Sequence, residues 1–171
     1  MKYFVIFTFL ISSLLAFGEN LNSFEADFKQ TIVDEENKKL VYTGHIYATK
    51  PSSVLWVYQT PVEKNIFIKK REAIIIEPEL EQVIIKNLRS EIDFFSIISK
   101  AKKVDATHYQ SVYKNIEFTL EHKDELIVSL KYSDQLENHV TIEFSSQKQN
   151  HKIKKSTFMP VVPKGFDVIE E

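Results

Sequence analysis

Side chains in a β-strand point alternately to opposite faces, so a sequence that keeps a period of two through run after run can bury itself only as a sheet. The best-marked run lies between Thr49 and Pro61 and holds the only tryptophan and two of the five prolines. Val54, Trp56 and Tyr58 share one face, and Leu55, Val57 and Gln59 share the other. Both faces are largely apolar, which predicts a strand that is covered on both sides or that lines an apolar space. Pro51 and Pro61 bound it, because proline cannot donate a ladder hydrogen bond and is tolerated best at strand ends.

The same alternation recurs along the chain. From Ser23 to Ile32, Phe24, Ala26, Phe28 and Ile32 alternate with Glu25, Asp27, Lys29 and Thr31, the pattern of a half-buried antiparallel strand. Asp34 to Lys39 reads as a polar hairpin turn. Further strands are expected over 42–49, 65–69 (which contains Phe67), 73–76, 82–86, 109–113, 115–121, 126–132, 139–145 and 152–158. An extended, proline-restrained tail over 160–169 closes the chain. Ten or eleven strands exceed what an open sheet carries comfortably, which predicts curling into a barrel or splitting into a sandwich.

One stretch breaks the period. Ser90 and Asp93 form a capping box, and Ile92, Phe94, Phe95, Ile97, Ile98 and Ala101 follow at helical spacing. Lys100, Lys102 and Lys103 gather where they would suit the negative end of a helix dipole. An amphipathic helix of about three turns is expected over 90–103. A single helix inserted into a β meander is either a core helix packed on the sheet or a lid over an open end.

The first residues carry a different message. Met1-Lys2 is followed by an apolar run from Tyr3 to Phe17 and by small residues at Ala16 and Gly18, which predicts a signal peptide over 1–18. The run is about 15 residues, shorter than the ~20 that span a bilayer. Residues 19–171 are then expected to form a single exported domain. The chain has no cysteine, so neither a disulfide nor a lipid-modified cysteine is expected, and packing alone must hold the fold.

Composition excludes several chemistries. The net charge of −2 gives no electrostatic reason to expect nucleic acid as a partner. Three glycines against 13 phenylalanines and seven tyrosines argue against a glycine-rich phosphate cradle. His45, His108, His122, His139 and His151 show no metal-ligand spacing, and no serine sits in a nucleophile elbow. Neither an enzyme, a cofactor nor a metal site is expected.

The order of several residues resembles a known family. Ser23-Phe24, Phe28 and Gln30 are followed by Gly44, Lys50-Pro51, Leu55-Trp56, Tyr58 and Pro61. Then come Pro78, Glu79 and Gln82, Phe94-Phe95, and a Pro163-Lys164-Gly165-Phe166-Asp167-Val168-Ile169 close. Over about residues 22–170 this resembles the LolA family of periplasmic lipoprotein carriers.

The resemblance implies an incomplete antiparallel β-barrel with a helical lid over an apolar cavity. It implies that Phe24, Ala26, Phe28, Val54, Trp56, Tyr58 and Phe67 face an acyl-chain cavity and that Phe94, Phe95, Ile97 and Ile98 form the apolar face of the lid. It implies a monomer in the periplasm that takes acylated lipoproteins from an inner-membrane ABC-type exporter and hands them to an outer-membrane acceptor lipoprotein. A sensor or binder of lipid or of a small hydrophobic ligand, built on the same barrel, is the alternative. The family usually carries an arginine where this chain has Lys50, the expected lid latch. Lysine keeps the charge but lacks the planar fork of donors. The family also commonly begins with a helix, for which only residues 19–22 remain here.

Overall fold

The computed structural model describes residues 20–88 and 94–171, so the expected signal peptide and the capping-box residues 90–93 lie outside the described part. Twelve strands form one sheet: β1 (Ser23–Val33), β2 (Lys39–Thr49), β3 (Ser53–Thr60), β4 (Lys64–Lys69), β5 (Glu72–Glu77) and β6 (Gln82–Asn87), then β7 (Lys102–Lys103), β8 (His108–Tyr113), β9 (Ile116–Lys123), β10 (Leu126–Ser133), β11 (His139–Gln149) and β12 (Asp167–Glu170). Their spatial order is β12-β6-β5-β4-β3-β2-β1-β11-β10-β9-β8-β7. Two antiparallel meanders are thus joined by the pairing of β1 with β11, and β7 and β12 stand at opposite ends without closing the barrel.

Local chemistry explains how a chain so poor in glycine makes tight hairpins. Lys114-Asn115 and Asp124-Glu125 both take left-handed backbone angles, the conformation that lets a two-residue turn follow the twist of the strands. The β1–β2 and β10–β11 hairpins use one device twice. The Asp34 carboxylate accepts the N–H groups of Glu36 and Lys38, and Asp134 accepts those of Leu136 and Asn138. Register slips opposite Glu25/Asp27 in β11 and at Ile127/Ser129 in β10 add the local curvature that bulges supply.

The concave face holds the main core. Phe24, Ala26, Ile46, Ala48, Leu120, Val140, Ile142 and Phe144 are buried there together with the four apolar residues of α1 (Phe94–Ser99), the one α-helix among the described residues. The Phe24 ring lies 5.4 Å from Phe94 and 5.2 Å, edge-on, from Phe144. Beside them Phe28 packs over Gly44, its pairing partner on β2, and meets Trp56 and Tyr58 edge to face at 5.0 and 5.1 Å.

A second, smaller apolar layer lies on the convex side, where Leu55, Ile76 and Val83 are buried outside that core. Residues 152–158 do not form a strand, because β11 is already paired on both sides and leaves them no edge to join. They run instead across the sheet, with a 3-10 turn at Lys155–Phe158 lying against β3. The tail, expected as an extended, proline-restrained close, finds the free edge of β6 and adds β12 in parallel; with the short β7 this makes twelve strands rather than ten or eleven. The helix is also shorter than its sequence pattern: Lys102 and Lys103 pair with Gln110 and Tyr109 instead of extending it. The Asp105 carboxylate holds the following turn by accepting the N–H groups of Thr107 and His108, and these bonds lower its pKa to about 2.

Gly44 sits where the sheet leaves no room for a side chain. A Cβ there would stand 2.1 Å from the Val57 carbonyl oxygen and 2.7 Å from the Phe28 ring. Gly44→Ala is expected to destabilise the protein by about 3 kcal/mol, measured as a lowered denaturation midpoint, because backbone rather than a flexible side chain must move.

Candidate functional site

The concave face is not filled along its whole length. Under α1 the rings of Phe24, Phe94 and Phe144 close it, and Phe24 and Ala26 have no exposed surface. Between α1 and the two sheet halves there remains an open apolar pocket of about 480 Å³. One wall is Val54, Trp56 and Tyr58 of β3 with Ile66 and Ile68 of β4. The opposite wall is Ile116 and Phe118 of β9, Leu130 and Tyr132 of β10, and Ile142 of β11. Phe94 and Ile97 of α1 face it from one end, while Tyr113, Lys114 and Gln135 stand at its polar rim.

The residues expected at the site separate into four groups. Val54, Trp56, Tyr58, Phe94 and Ile97 meet in the pocket wall. Phe24, Ala26 and Phe28 lie on the same concave face but beneath the wall, as buried support. Phe95 and Ile98 are buried on the sides of α1 turned away from the pocket, and the Lys50 ammonium lies 5.8 Å from the centre of the Phe95 ring. Phe67 is placed elsewhere. It pairs with Leu55 and Ile74, so it points to the convex face, and its neighbours Ile66 and Ile68 take the lumenal positions. The phase of β4 depends on its pairing with β3, and a run of consecutive apolar residues at 66–68 does not reveal it.

Sequence reading also missed the far wall from β9 to β11 and the role of the buried amide of Gln30 in the pocket. Gln30 is buried to 9% exposure, and its Oε1 accepts a hydrogen bond from the Tyr58 hydroxyl at 2.9 Å. Burial pushes the Tyr58 hydroxyl far above the ordinary tyrosine range, with Tyr132 and Tyr42 adding to the shift. Burial likewise raises Tyr132, so both hydroxyls stay protonated. A larger hollow of about 850 Å³ opens at the end of β9–β11, but Lys131, Thr119, Thr141, Ser133 and Asp134 make it a polar, solvated concavity.

The sequence that builds this unclosed barrel is similar to known proteins. The profile of "Outer membrane lipoprotein carrier protein LolA" matches residues 19–111. The outer-membrane lipoprotein carrier protein of Helicobacter hepaticus is 36% identical over 170 residues, covering 99% of this chain and 95% of that protein. The chain belongs to the LolA family. The family's member from Campylobacter jejuni is similarly 36% identical, over 168 residues and 98% of both proteins. Among solved structures, an uncharacterized conserved protein from Thermus thermophilus aligns over 89% of this chain and 92% of its own, with a TM-score of 0.54 and 9% identity. That likeness shows the shared fold alone.

Outside the LolA pocket, one cluster of charged groups ties the C-terminal crossing segment to the sheet. Glu25 accepts from His151 Nε2 at 2.8 Å and from Lys148 Nζ at 3.2 Å, while Asp27 and His45 Nδ1 stand 2.7 Å apart. Burial alone would raise the Glu25 carboxyl, but the hydrogen bonds from Lys148 and His151 outweigh it and hold the pKa below its ordinary 4.5. A carboxyl lowered in the folded state contributes stability that is complete above its unfolded pKa and is lost as pH falls through the folded value. Glu25→Gln is therefore expected to melt at a lower temperature than the parent at pH 7. The gap should narrow steadily as the pH of the melting experiment is taken below 4.5.

Proposed function

We propose that this chain is a periplasmic carrier which shields the acyl chains of lipoproteins between the inner and outer membranes, and that it performs no catalysis. The observation that carries the reading is the apolar pocket itself: it is built from both halves of the sheet and one helix, yet left unfilled and open. Membership of a family whose relatives bear the name outer-membrane lipoprotein carrier supports it. In this reading residues 1–18 direct export, and residues 19–171 act as one soluble domain.

The mechanism rests on transfer energetics. Each methylene moved from water into the pocket is worth about 0.8 kcal/mol, so a fully buried long acyl chain would be held too tightly to release. A pocket of about 480 Å³ lies in the range that suits one small ligand rather than several long chains. Incomplete burial keeps affinity between that of an inner-membrane ABC-type exporter and that of an outer-membrane acceptor lipoprotein, which lets cargo move onward. Helix α1 is the element able to adjust. Its described residues, Phe94–Ser99, contribute Phe94 and Ile97 to the pocket and rest on Phe24 by ring contact. Its displacement would enlarge the pocket as a two-state lid. Lys50 over Phe95 serves as the latch that biases it toward closure.

Two experiments test this reading. Incubating the mature protein with spheroplasts that are synthesising lipoproteins should release acylated proteins into the soluble fraction in complex with it. Release no greater than with an unrelated periplasmic protein contradicts the carrier function. The latch has its own readout in amide exchange. Lys50→Ala should speed exchange across residues 94–99 about threefold to fivefold, as expected for loss of roughly 0.5–1 kcal/mol of cation–π contact. Lys50→Arg should slow it, and unchanged exchange in both variants would remove Lys50 from the lid.

A further inference from the structure

Gln30 is the one polar side chain placed on the inward face of β1, in the sequence Phe24, Ala26, Phe28, Gln30, Ile32. Burying an amide costs free energy unless its donors and acceptor are both used. Its acceptor is used: Oε1 takes the Tyr58 O–H. Its two Nε2 donors have no hydrogen-bond acceptor among the described residues, although the side chain is nine-tenths buried and lines the pocket. The Tyr132 hydroxyl lines the same pocket and likewise has no hydrogen-bond partner among the described residues. Apolar side chains surround both, with Ile142 paired to Gln30 across β1–β11 and Leu130 next beyond it. An apolar chain alone would leave these donors unsatisfied, whereas a carbonyl oxygen, which accepts two hydrogen bonds, would take one amide N–H and the Tyr132 O–H.

Resting on the carrier reading above, we propose that the pocket recognises the carbonyl oxygen of an acyl ester or amide, bound by Gln30 Nε2 with Tyr132 as a second donor. Gln30 is then a specificity-determining residue. It distinguishes an acyl group, which begins at a carbonyl, from a bare hydrocarbon tail, and it fixes how far the chain enters. The Tyr58 hydroxyl acts as a positioning group, holding the amide so that its nitrogen rather than its oxygen faces the lumen. A carboxylate is a poorer occupant, because its charge would have to be stripped of water among Ile142, Leu130 and Phe118.

The test compares methyl myristate with methyl tetradecyl ether, which keeps the chain and loses only the carbonyl. Binding to the mature protein is followed by the fluorescence of Trp56, the single tryptophan in the pocket wall. The parent should bind the ester about fivefold to tenfold more tightly than the ether, the scale of one buried neutral hydrogen bond. Gln30→Met should bind the ether as well as the parent does and bind the ester no better than the ether. The ether measurement also reports whether the variant's pocket is intact. The carbonyl stretch of the bound ester, labelled with carbon-13, gives a reading that needs no variant: it should fall below its frequency in dry hydrocarbon. Equal binding of ester and ether by the parent, or an unshifted stretch, overturns carbonyl recognition and leaves the acyl pocket standing. Failure of both ligands to bind overturns the pocket reading and this proposal together.

Discussion

The packing of Phe24 against Phe94 and Phe144 decides what the rest of the concave face can be. A curved sheet of twelve strands encloses more space than its own inward side chains fill, and among the described residues the helix Phe94–Ser99 leaves part of the remainder open. The three rings fix where that helix sits, under the β1–β11 junction, and so fix where the shortfall falls. Phe28, Trp56 and Tyr58 then form the boundary between filled core and open pocket through edge-to-face contacts. Dispersion and area burial reward a filled interior, so an apolar space left open is a departure from what stability alone would select. Its cost is spread over residues that remain half-buried, among them Trp56, Ile66 and Ile68.

The convex side shows how the sheet tolerates that departure. Leu55, Ile76 and Val83 bury a second apolar layer, and the crossing segment after β11 is tied down at its start by Glu25 and at its end by β12. This outer layer does not depend on the state of the pocket. The wall of β3 and β4 is therefore supported from outside while its inner face stays available, which explains why both faces of β3 are apolar.

Much of this was legible in the sequence. Period-two alternation marked the strands from Ser23 to Lys86 and from Tyr109 to Ser145 and put Val54, Trp56 and Tyr58 on one face, but with both faces of that strand apolar only the family resemblance implied which one turns inward. What local pattern could not supply was pairing. Phe67 sits in an apolar run whose phase is set by β3, so its convex position follows from register rather than from residue type. The stretch 152–158 alternates well enough for a strand but meets no free edge, while the proline-rich tail reaches one at β6. Lys102 and Lys103 suit a helix terminus by charge, yet the antiparallel pairing with β8 claims them. Gln30 was visible as part of a familiar residue order, but its significance arises only when its amide is seen to line a cavity with its two N–H donors unused.

The central claim is that acyl chains occupy the space between β3–β4, α1 and β9–β11. The most direct measurement is photo-crosslinking of the mature protein with an acylated lipopeptide that carries a diazirine along its chain, followed by peptide mapping. The account predicts labels on Trp56, Ile66, Ile68, Ile97, Phe118 and Leu130. Labels confined to the exposed convex residues Met159, Val161 and Val162, or spread without preference, would contradict it.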